Sequence, residues 1–147
     1  MGRRGFSMIE LLTAVFVIAV GILGLFGALS YGLTASRSGE LRSEAVGHAT
    51  HLIELIRSRN LDFQGSPPPP PASSGINDPA TTKKPLNAAP FAAEFPAGSP
   101  FQRNIQIARV GASGDYNFDV MRITVTLYWQ EQGGERNLRF EALHKNQ

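Results

Sequence analysis

The sequence contains no cysteine, which excludes a disulfide framework and thiol chemistry. It has no phosphate-binding glycine loop, no cluster with zinc-ligand spacing and no metalloprotease helix motif. Its three histidines, His48, His51 and His144, have no serine in a nucleophile context near them. Catalysis by this chain is therefore not expected, and no cofactor or metal is called for. Proline is missing before Pro67, so nothing breaks a helix over the first two-fifths of the chain. Charge is scarce too, at 18% of 147 residues, against 42% hydrophobic. Those figures describe neither a disordered chain nor one embedded throughout in lipid. The formal net charge of +2 equals the contribution of Arg3 and Arg4, so it does not argue for nucleic-acid affinity.

What the sequence does have is an apolar run, Leu11 to Leu29, with no charge and Thr13 as its only polar side chain. At 1.5 Å per residue these positions span about 28 Å, close to the roughly 30 Å hydrocarbon thickness of a bilayer. Arg3 and Arg4 precede the run and the next basic residue is Arg37. The charge bias thus puts the N-terminus in the cytoplasm and the remainder outside. Glu10 stands at the mouth of this run, although a charge at the centre of a membrane helix costs roughly 2.5–3.5 kcal/mol.

A plain anchor leaves Glu10 unexplained. An ordinary secretory signal peptide cleaved after Ala28-Leu29-Ser30 would start the mature chain at Tyr31, but its apolar core is normally shorter and carries no acid. The paired arginines fit a twin-arginine export signal only loosely. An acid near a helix N-terminus also gains about 0.3–1 kcal/mol from the helix dipole.

The string Gly5-Phe6-Ser7-Met8-Ile9-Glu10-Leu11-Leu12 resembles the leader of type IV pilins and pseudopilins. That signal has a short basic leader ending in glycine, then phenylalanine, then glutamate four residues on, then the apolar stretch. The segment Ile18 to Leu25 and the sheet ending in Trp129 look most like the PilV-type minor pilins. The resemblance implies cleavage between Gly5 and Phe6 by a prepilin peptidase and N-methylation of Phe6. It further implies that Glu10 pairs with the Phe6 amine of a neighbouring subunit during assembly. The corresponding place is the inner (cytoplasmic) membrane, single-pass, and then the pilus or cell surface. Expected partners are other pilins, the peptidase, the inner-membrane assembly machinery and lipid. A minor pseudopilin of a type II secretion system shares the same leader and helix, and the secreted protein with a cleaved signal remains the third reading.

Helical periodicity continues past the membrane run. Leu41, Ala45, His48, Leu52, Leu55 and Ile56 recur at three- and four-residue steps, predicting one helix from about Phe6 to Asn60, roughly 80 Å long. Gly21, Gly24 and Gly27 within it each cost about 1 kcal/mol against alanine; they suit close packing in a membrane, simple tolerance, or a section that unwinds in a filament. His48, His51 and Glu54 follow at three-residue steps, but three such ligands fan around a helix, so packing or solvent contact is expected instead of a metal.

Gly65-Ser66 and the five prolines from Pro67 end the helix and open a proline-rich stretch, where polyproline II is favoured. Phe91, Phe95 and Phe101 predict that its later part packs back on a core. Alternation then predicts strands at 104–107, 121–129 and 138–142, with a hairpin at Gly133-Gly134. Trp129 falls in phase with Leu127 and is expected inside. Lys83, Lys84, Arg103 and Arg109 are the residues on which contact with DNA would rest; they are scattered and balanced by acids. The expected fold is α+β, one long helix against an antiparallel sheet of three or four strands, as in pilin-like proteins. The expected division is a leader at 1–5, membrane helix at 6–30, amphipathic helix at 31–60, proline-rich loop at 61–103 and sheet at 104–147.

Overall fold

A computed structural model describes residues 7–58, 76–112, 114–116 and 120–145. One helix, α1, runs Met8–Ser58 without interruption, and four strands follow: β1 (Lys84–Pro85), β2 (Gln102–Arg109), β3 (Val120–Glu131) and β4 (Gly134–Lys145). The chain divides into two units, Met1–Leu41 and Arg42–Gln147.

In the first unit the helix keeps its form through Gly21, Gly24 and Gly27. A Cβ added at any of the three would meet nothing within 4 Å, so no close approach within the subunit demands glycine there. The large apolar side chains from Met8 to Leu33 are all exposed, Leu23 at 72% and Phe16 at 69%. A soluble helix hides one stripe; this one presents apolar surface on every side, as a membrane span does.

The second unit is the α+β body, built on an antiparallel sheet of order β1-β2-β3-β4. Its part of α1 buries Ala45, Ala49, Leu52, Ile53 and Ile56, a stripe at helical spacing against the sheet, while Arg42, Glu44, Glu54 and Arg57 stay exposed. The facing sheet surface carries Ile105 opposite Val125 and Ile107 opposite Ile123. On the other side of β3, Ile123, Val125 and Leu127 pair with Ala142, Phe140 and Leu138. The expected shared face is therefore present, with β3 central and buried at alternate positions and β4 half-exposed at the edge. The β3–β4 turn is Gln132-Gly133, and both Gly133 (φ 105°) and Gly134 (φ 132°) hold left-handed backbone that glycine tolerates best.

Phe91, Phe95 and Phe101 all pack inside as the sequence predicts. Phe101 meets the Trp129 ring edge-on at 5.9 Å, and Trp129 lies inside with its Nε1 donating to Glu131 at 2.8 Å. The strands run beyond the expected bounds, β2 over 102–109, β3 over 120–131 and β4 over 134–145, and β1 lies inside the stretch read as loop. A two-residue ladder such as β1 is too short to leave a periodic signal, and Pro85 disguises it; proline is tolerated there because β1 is an edge.

The outer edge of β2 is closed by side chains that imitate a strand. Asp78 N donates to Ile105 O at 2.7 Å, and Ile105 N donates back to Asp78 Oδ2 at 2.9 Å. Ile107 N donates to Asn77 Oδ1 at 3.0 Å, and Asn104 Nδ2 donates to the carbonyls of Pro79 and Thr82. An open row of strand donors and acceptors is thereby covered without a full strand.

Candidate assembly segment at the helix N-terminus

The start of α1 is organised by Ser7. Ile9 N donates to Ser7 Oγ at 3.3 Å, and the Ser7 carbonyl accepts from Glu10 N at 3.0 Å and Leu11 N at 3.2 Å. Ser7 is thus the N-cap, satisfying a donor that the helix itself cannot. Glu10 follows three residues later, the spacing of a capping box, in the first turn where a negative charge faces the positive end of the dipole. The Ser-x-x-Glu spacing is legible in Ser7-Met8-Ile9-Glu10, and reading Glu10 for its charge alone passes over it. Thr13 Oγ1 donates to the Glu10 carbonyl at 3.0 Å, so the one polar side chain of the apolar run is satisfied within the helix.

Glu10 is exposed, at the boundary between the capped terminus and the apolar surface. Gly5 and Phe6, the expected cleavage pair, lie outside the described residues. From Met8 onward the helix is long and apolar enough to cross a membrane, and none of its most apolar window is buried.

The other residues singled out in the sequence sit elsewhere. His48 lies between Phe95 and Phe101, edge-on to each at 5.5 and 5.4 Å, and its Nε2 stands 3.4 Å from Glu44. His51 meets Phe95 at 5.4 Å. The two histidines thus clasp an aromatic ring, and His51 and Glu54 do not join His48 in a metal-binding group among the described residues.

Arg103, grouped with surface basics by sequence, is instead the largest fully buried side chain among the described residues. Its Nη1 donates to Asp78 Oδ2 at 3.1 Å, Nε to Leu86 O at 3.3 Å, and Nη2 to the carbonyls of Ala88 and Ala89 at 3.0 and 3.2 Å. The guanidinium also lies over the Phe91 ring at 4.9 Å. Burial lowers its pKa below the ordinary value, and the neighbouring Asp78 charge opposes that shift. Arg103 is therefore unavailable to DNA. Lys84 pairs with Asp78, and Lys83 pairs with Glu135 while lying over the Tyr128 ring. Arg103 and Lys83 thus tie the 76–95 segment to β2 and β4, and the Lys84–Asp78 pair braces that segment internally. Strand alternation puts Arg103 on the core face beside Ile105, but a single sequence gives no hint of the partner, since Asp78 lies 25 positions away.

No curated protein and no solved structure matches the chain. Residues 1–26, however, match the family model of the prokaryotic N-terminal methylation motif. The match takes in Gly5, Phe6, Ser7 and Glu10 together with most of the apolar run, so the N-terminal segment of this chain carries a prokaryotic N-terminal methylation motif that runs into an exposed apolar helix.

Proposed function

We propose that this chain is a minor pilin, a structural subunit for assembly or decoration of a type IV pilus serving motility, adhesion or DNA uptake. The observation that carries the reading is the methylation motif in register with a capped helix whose apolar surface is exposed on all sides. In this reading residues 1–5 are a leader removed by prepilin peptidase. The new amine on Phe6 is methylated, and residues 6–30 anchor the subunit in the inner membrane before it passes to the cell surface. The 31–60 helix continues into the head, to which the proline-rich 61–103 and the 104–147 sheet belong.

Glu10 then acts as a register device. An exposed carboxylate one turn into a capped helix can reach a cation on a neighbouring helix, and the amine of Phe6 on the next subunit is such a cation. Two unit charges about 4 Å apart gain about 4 kcal/mol at intermediate dielectric, which offsets much of the cost of burying them among apolar helices. The carboxylate has its partner only after the leader is cut, so processing and assembly are linked.

Deleting the gene and scoring surface pili against secretion of exported enzymes tests the assignment. Loss or thinning of pili with normal secretion is the expected result. Normal pili with a secretion defect would make the chain a minor pseudopilin of a type II secretion system instead. The PilV-type assignment within the family rests on Ile18 to Leu25 and on the strand that carries Trp129.

A further inference from the structure

We propose that Glu10 and Tyr31 mark the two faces of the bilayer for the unassembled subunit. The Glu10 carboxylate stands among the cytoplasmic headgroups and the Tyr31 ring among the outer ones. This rests on the membrane reading above and adds how deep the helix stands and which residue sets that depth.

The intervening residues, Leu11 to Ser30, carry no charge, and their large apolar side chains are all exposed. From Glu10 to Tyr31 the helix rises about 31 Å, against roughly 30 Å of hydrocarbon. Tyr31 is 79% exposed, a ring with an apolar body and a hydroxyl tip, which is the type that collects at membrane–water boundaries. Leu33 lies beyond it and is also exposed, so apolar content alone would let the span extend further. The tyrosine is what stops it.

Side-chain direction sharpens the placement. Helical Cα–Cβ bonds tilt toward the N-terminus. Glu10 therefore leans out of the bilayer toward the cytoplasmic headgroups, while the Tyr31 ring leans back to the outer boundary. Thr13 inside the span and Thr34 outside it both donate to carbonyls of their own helix, Glu10 O and Ser30 O, at 3.0 Å each. Thr13 can thus sit in lipid with its hydroxyl satisfied. Glu10 is then hydrated in the free subunit, and its burial begins only when the helix leaves the bilayer for a filament.

The natural absence of cysteine makes the test clean, because each introduced thiol is the only one. Single-cysteine variants at Met8, Val17, Gly21, Leu25, Thr34 and Ser36 of the full chain would be labelled in native membranes, opened to both sides, with a membrane-impermeant maleimide. Expected are fast labelling at 8, 34 and 36 and about tenfold slower labelling or none at 17, 21 and 25. Adding Tyr31→Leu should slow labelling at 34 by about tenfold as the span extends past Leu33, and Tyr31→Trp should leave it unchanged. Protection at 17, 21 and 25 with no response at 34 to Tyr31→Leu would overturn the role of Tyr31 while leaving the membrane reading standing. Protection already at 34 or at 8 in the otherwise native chain would overturn the placement. Fast labelling at 17, 21 and 25 would overturn the membrane reading itself.

Discussion

Replacing Arg103 by methionine keeps an unbranched apolar stem in place but deletes every donor of the guanidinium. Three backbone carbonyls, of Leu86, Ala88 and Ala89, lose their Arg103 donors. Asp78 keeps Ile105 N and Lys84 but loses its fully buried partner. Removing one member of a buried pair costs about 3–5 kcal/mol, and each orphaned buried acceptor about 1–3 kcal/mol. These overlap, and Lys84 holds part of the charge, so about 4 kcal/mol is expected. That is a large share of the 5–15 kcal/mol that typically holds a domain together. For a unit of this size it lowers Tm by roughly 15–30 °C. Trp129 is the only tryptophan and lies in the core against Phe101, so its fluorescence during thermal or urea unfolding of the detergent-solubilised chain reports on this unit alone. Adding Asp78→Asn should recover part of the loss, because the amide oxygen still accepts from Ile105 N while the buried charge is gone. Lys83→Ala breaks a half-exposed pair and should cost less than about 1 kcal/mol. An Arg103→Met loss no larger than that of Lys83→Ala would refute the view that this buried cation holds the 76–95 segment in place.

Phe101→Ala should destabilise the same unit by about 3–5 kcal/mol, with Trp129 emission shifted in the folded state, since the ring is fully buried and touches both Trp129 and His48. Gly133→Ala forces a side chain into φ 105° and should cost about 1–2 kcal/mol in urea unfolding. Glu10→Ala should insert in the membrane as well as the native chain but fail to enter filaments, as read by immunoblots of sheared pili against membranes. Incorporation at normal levels would remove Glu10 from the assembly contact.

The parts of this molecule that were legible in sequence are those with a long period. Fifty-one helical residues without proline and the alternation over 121–129 and 138–142 within the two long strands repeat their signal many times, so the helix, the last hairpin and the inward phase of Trp129 could all be read. Phe91, Phe95 and Phe101 were legible as core because three aromatics in a polar stretch need cover. What stayed hidden depends on pairs distant in sequence. Arg103 looked like a surface cation because its compensation comes from Asp78 and from carbonyls, which carry no sequence label. Asp78 and Asn77 act as a substitute strand edge, a role for which residue type gives no pattern. At the N-terminus the cap at Ser7 is written in the Ser-x-x-Glu spacing.

In the proposed reading the leader ends at Gly5 and Phe6 opens the mature subunit. N-terminal sequencing and intact mass of the chain purified from its native membrane decide this. A chain starting at Phe6 and one methyl group heavier than the unmodified sequence from that residue is predicted. A chain starting at Met1, or at Tyr31 after an ordinary signal cleavage, would contradict it.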